Sequence, residues 1–170
     1  MGVQQRAAVA DVIGFGLALA VTGIYFVLVG LEIFPVPGGA DALHAPLAIV
    51  ICAGAAFLFA GLALMIRAKA GADDRDGNLP AEAPPWTHAA YRITGIAVAA
   101  SLAAIGTWIA FGGGPRTFTV GGPMIEMRTG GDMLGRTLFG LGAVIVWFYV
   151  IALTVSTVRK MFDRAQAGRR

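Results

Sequence analysis

Charge is what this chain lacks most. Only 14% of its 170 residues are Asp, Glu, Lys or Arg, against 57% hydrophobic, whereas a soluble globule carries about 25% charged residues. Cysteine is nearly absent too, and a lone Cys52 excludes an intrachain disulfide and any CxxC redox or zinc pattern. Histidine occurs twice, as His44 and His88, with no pairing at haem or di-metal spacing. Lysine occurs twice against eleven arginines in an Ala- and Gly-rich chain, a bias that points to a GC-rich bacterial genome. No Ser-His-Asp set can be assembled at one depth of a membrane. A non-enzymatic protein with no catalytic residue, metal or cofactor is therefore expected.

The missing charges are concentrated rather than spread. Val12–Leu31, Ala42–Ile66, Ile93–Pro115 and Thr137–Val158 contain no Asp, Glu, Lys or Arg, and each has 20 residues or more. At 1.5 Å per residue, about 20 residues cross the roughly 30 Å hydrocarbon core. In lipid the backbone must pair its own polar groups, which a single continuous helix does. The first run exceeds a signal-peptide core and is followed by a Pro/Gly turn, so it reads as a span and not a cleaved leader.

Orientation follows from the basic residues. With the amino terminus inside, Arg6, Arg67, Lys69, Arg75, Arg92, Arg159, Lys160, Arg164, Arg169 and Arg170 are cytoplasmic, and only Arg116, Arg128 and Arg136 lie outside. This positive-inside bias places both termini in the cytoplasm of a bacterial inner membrane. It also accounts for the net charge of +3 without a nucleic-acid partner.

The predicted fold is an all-α membrane domain over 1–170: a four-transmembrane-helix bundle of two in-out-in hairpins. The helices run over about 12–34, 43–68, 88–112 and 133–160. A cytoplasmic linker over 69–86 carries Asp73, Asp74, Arg75, Asp76 and three prolines. Trp86 and Tyr91 mark the interface at the entry of the third helix. A periplasmic loop over 113–132 holds Arg116–Val120 and Met124–Arg128, strand-like stretches joined by Gly121-Gly122-Pro123. These predict a small periplasmic β-hairpin, with Asp132 as N-cap of the fourth helix.

Polar candidates gather at the outer face. Glu32 and His44 flank the first outer turn, as an interfacial hydrogen bond or ion pair, or as a proton or ligand site. Arg116, Glu126, Arg128, Asp132 and Arg136 complete the cluster; their mixed signs argue against an anion site, and Arg128 is expected to pair with Glu126 or Asp132. Gly112–Gly114 lacks the Lys-Ser/Thr of a phosphate loop and reads as a helix exit.

Small residues at helical spacing, Gly95, Ala99, Ala103 and Thr107 on the third helix and Gly14, Ala18 and Thr22 on the first, predict close packing. They serve the bundle itself or dock a partner subunit. Trp147-Phe148-Tyr149 reads as packing, with Tyr149 reaching a backbone carbonyl, or as the neighbour of a quinone or pigment.

Ala45-Pro-Leu-Ala, Gly54–Leu64, Gly-Pro-Arg-x-Phe at 114–118 and Gly-Arg-x-x-Phe-Gly-x-Gly-Ala at 135–143 resemble an uncharacterised family of bacterial four-helix integral membrane proteins. The size and layout are also similar to the small membrane subunit of tripartite tricarboxylate-type transporters. The first resemblance implies the fold and no activity; the second implies a large multi-span partner and a periplasmic binding protein. The residues themselves point to an accessory or structural protein that packs in, or stabilises, a larger membrane complex or homo-oligomer. A small subunit of a secondary solute transporter is the alternative.

Overall fold

The computed structural model describes residues 3–36, 38–39, 45–71, 79–113, 121–122, 125–126 and 131–167. At 3–6, 121–122, 125–126, 131–132 and 160–167 it describes the backbone alone. Four helices run in chain order: α1 Val3–Gly30, α2 Leu47–Ala70, α3 Pro85–Phe111 and α4 Gly131–Ala167. Each contains a stretch long and apolar enough to cross a membrane, and at most 22% of the most apolar window of any of them is buried. A core this thin would leave a soluble protein unstable; in lipid it is ordinary, because the acyl chains complete the packing.

The ends of the helices depart from the expected ones for local reasons. Ala, Gln and Arg in residues 3–11 are good helix formers, so α1 begins well before its apolar run. It ends at Gly30, earlier than expected, through a Schellman motif: the Ile33 amide donates to the Leu28 carbonyl (2.9 Å) and the Glu32 amide to the Val29 carbonyl (3.0 Å). Pro46 holds the N-cap position of α2, and its ring disfavours helix in the residue before it, which delays α2 from 43 to 47. Pro84 caps α3 and Pro85 opens it, because proline lacks only a donor that the first turn does not use. Asp132, expected as the N-cap of α4, is instead already the second residue of that helix.

The predicted β-hairpin is not supported. Among the described residues only Gly121–Gly122 and Ile125–Glu126 pair, with Gly121 opposite Glu126 and Gly122 opposite Ile125. The two glycines assigned to the turn are thus the paired residues. The strand-like stretches beyond this two-residue ladder, and the linker at 72–78, lie outside the described residues.

Packing follows chain order: α1 lies on α2, α2 on α3 and α3 on α4. Among the described residues α1 approaches neither α3 nor α4, and α2 does not approach α4. The bundle is therefore a row of four helices, open on its two outer flanks.

Glycine sets the closest approach. Gly16, Gly23 and Gly30 lie seven apart on α1, as do Gly54 and Gly61 on α2. A Cβ at Gly16 would sit 2.9 Å from the Gly61 carbonyl oxygen, and one at Gly54 would sit 2.7 Å from that of Gly23. Added methyls at Gly23 and Gly61 would overlap the backbones of Leu58 and Gly16. The two helices thus touch backbone to backbone, antiparallel, along a heptad seam, the spacing of a left-handed pair. The α3–α4 pair is looser: Gly106 faces Ala143 (3.3 Å to its Cβ), and Gly140 faces Ala110 (3.4 Å).

Candidate functional site

The predicted small-residue ridges divide in the structure. On α1, Gly14, Ala18 and Thr22 are exposed and a Cβ at Gly14 would meet nothing within 4 Å. The seam that packs is the neighbouring heptad line through Gly16 and Gly23. On α3, Gly95 is likewise open and Ala99 is half-buried, whereas Ala103 is 1% exposed and Thr107 bridges to α4. The Thr107 hydroxyl donates to the Ala103 carbonyl (2.7 Å) and accepts from Trp147 Nε1 (3.1 Å). Within the apolar span, where lipid offers no acceptor, this gives the indole N–H a partner. The expected bond from Tyr149 is not there: its side chain is exposed and makes no hydrogen bond among the described residues. Trp147 takes the polar role instead.

Of the polar cluster at the loop end, two members have described side chains. Arg136 donates from Nη1 to the Gly112 carbonyl (3.3 Å), so this cation of α4 serves the carbonyl end of α3, where a positive charge is favoured. Glu32 has φ 59°, a left-handed conformation that residues with a Cβ rarely adopt. It is the C′ residue of the Schellman motif, a place normally held by glycine.

Glu32 lines a cavity of about 400 Å³ between the end of α1 and the start of α2, together with Val29, Phe34, Pro35, Pro46 and Leu47. Pro46 gives α2 no side-chain cap, so the positive end of the α2 dipole and a carboxylate share one small cavity. His44, Arg116 and Arg128 lie outside the described residues, and the side chains of Glu126 and Asp132 do as well; the Glu32–His44 and Arg128 pairs are therefore not on view. Among the described residues no three His, Cys, Asp or Glu side chains gather as metal ligands do.

Three features escaped the sequence reading. The heptad glycines were legible as a seven-residue recurrence, but spacing by four drew attention to the wrong face. The buried line Thr87, Thr94 and Ser101 on α3 also recurs every seven residues. The third is a second cavity, at the opposite end of the molecule, where α2 ends and α3 begins. It measures about 560 Å³ and is lined by Lys69, Glu82, Trp86 and Thr87 among apolar neighbours; the prolines that form its wall had signalled only a linker.

The fold defines a helical protein with four helices fit to span a membrane, arranged as two antiparallel pairs in a row. Comparisons with protein-family models, curated proteins and solved structures find no match.

Proposed function

We propose that this chain is a non-enzymatic accessory protein of a bacterial inner membrane, with both termini in the cytoplasm, that packs in and stabilises a larger membrane complex. The observation that carries the reading is the outer flank of α4. Leu134, Leu138, Leu141, Ile145 and Phe148 recur at steps of four and three, and each is more than half exposed. That spacing is the seam by which one helix packs along another. The seam facing α3 is built of Gly140, Ala143 and Val150, the last two nearly fully buried. So α4 carries one seam used within the chain and a second, of larger side chains, left open. The interiors of the four apolar runs contain no Asp, Glu, Lys or Arg, which favours a packing role over a charge-translocating one.

The test is site-specific photo-crosslinking in native membranes. A probe at Ile145 or Phe148 should yield a discrete adduct of higher mass, and one at exposed Phe15 on α1 should give lipid adducts alone. Recovery of only the free monomer from both positions of α4, together with gentle-detergent purification of the monomer at native expression, would sink the reading. A second reading, the small membrane subunit of a secondary solute transporter, draws on the four-span size and layout. It requires a large multi-span protein and a periplasmic binding protein encoded alongside, and a gene neighbourhood with neither counts against it.

A further inference from the structure

The cavity between the end of α2 and the start of α3 holds more polar chemistry than a wall of apolar residues needs. Ile66, Ala70, Pro80 and Pro84 form much of its surface, and four groups with donors or charge also line it: Lys69, Glu82, Trp86 and Thr87. Thr87 is the decisive one. It is 8% exposed, and its hydroxyl has no hydrogen-bond partner among the described residues. A buried hydroxyl costs about 1–3 kcal/mol where it is left unpaired, so Thr87 favours a cavity ligand that accepts from it or donates to it.

The first turn of α3 points to the nature of that group. Its N-cap is Pro84, which has no side-chain acceptor, and no side-chain cap is made. The Thr87 and His88 amides donate to the Pro84 carbonyl (2.9 and 3.4 Å); the Trp86 amide makes no hydrogen bond among the described residues. A 27-residue helix thus presents a free amide and the positive end of its dipole to the cavity, an arrangement that favours an anion. Lys69, in the last turn of α2, adds a full positive charge. Glu82 adds a negative one, which a bare anion would find repulsive and an amine-bearing headgroup would find complementary.

We propose that this cavity binds the headgroup of a phosphoethanolamine-bearing phospholipid. The phosphate lies at the α3 N-terminus, accepting from the Trp86 amide, the Thr87 hydroxyl and Lys69. The ammonium faces Glu82. Ile66 and Ala70 continue along α2 into the apolar span, a path for an acyl chain, and Trp86, 71% exposed, sits where indoles anchor to the membrane interface. Phosphate and ammonium could equally come from free phosphoethanolamine; the apolar wall favours the lipid.

Native mass spectrometry of the full chain in a non-ionic detergent, with added phosphatidylethanolamine, phosphatidylcholine, phosphatidylglycerol or soluble phosphoethanolamine, tests this. One phosphatidylethanolamine should bind about tenfold more tightly than phosphatidylcholine, whose quaternary amine has no N–H for Glu82. Lys69→Gln and Thr87→Val should each weaken it about tenfold, and Thr87→Ser, which keeps the hydroxyl, should not. Glu82→Gln, which removes the negative charge that faces the ammonium, should erase the preference over phosphatidylcholine. Circular dichroism checks that each variant remains helical, and Thr87→Ser stands in where Thr87→Val does not fold: weakening there would count against the site. Equal binding of the ethanolamine and choline lipids, or unchanged occupancy in Lys69→Gln, would overturn the proposal. Displacement of the lipid by millimolar phosphoethanolamine would overturn the lipid as the source.

Discussion

At the scale of single residues, two kinds of glycine sit on the same helix and should answer oppositely to the same change. Gly23 lies where an added methyl overlaps Leu58 and Gly54 backbone atoms, and backbone cannot move aside without parting α1 from α2. Gly23→Ala should destabilise by about 1–3 kcal/mol, the usual range for overpacking, read by denaturation with SDS in mixed micelles. Gly14 opens onto nothing, and Gly14→Ala should lose no stability, since alanine is the better helix former. Glu32 offers the reverse case. Its positive φ costs about 1 kcal/mol for a residue with a Cβ, so Glu32→Gly should raise stability by about that amount. If Glu32→Gly lowers stability instead, the carboxylate beside the uncapped α2 N-terminus is worth more than the strain. Thr107→Val removes the acceptor of the Trp147 indole and should cost about 0.6 kcal/mol, the mean for interhelical hydrogen bonds in a membrane protein.

At the scale of elements, α4 has two faces whose roles separate. Ala143 is 5% exposed and Ile145 is 68% exposed. Ala143→Leu should therefore weaken the α3–α4 pair in the same SDS assay, and Ile145→Ala should leave it unchanged. The spans and their number were legible in the sequence because lipid acts on long blocks of residues, and block composition is readable without contacts. Which face of each helix packs was not legible, since a helix whose residues are nearly all apolar carries little polar contrast to reveal its inner face. What did distinguish the face was glycine every seven residues, and the eye drawn to Gly14, Ala18 and Thr22 looked one column away. The ends of α1 and α2 were missed by a few residues because Pro46 and the left-handed Glu32 act locally, inside runs read as continuous. The loop at 113–132 was overread. Thr, Val, Phe and Ile favour strands, yet Gly121 and Gly122, assigned to the turn, form the only ladder among the described residues.

At the scale of the whole molecule, a row of helices differs from a closed bundle in what it can hold. Among the described residues its outer flanks, α1 and α4, pack on one helix each, and lipid or another protein takes the other side. The two cavities lie at opposite ends, one between α1 and α2 beside Glu32 and one between α2 and α3 beside Thr87. The proposed placement rests on four crossings, which would put both termini and residues 72–78 on the cytoplasmic side. Reporter fusions test this most directly, using alkaline phosphatase, which is active only in the periplasm, at Asp76 and at Gly122. The account predicts activity from the Gly122 fusion and none from the Asp76 fusion; activity from the Asp76 fusion, or its absence at Gly122 in a stably produced protein, would contradict it.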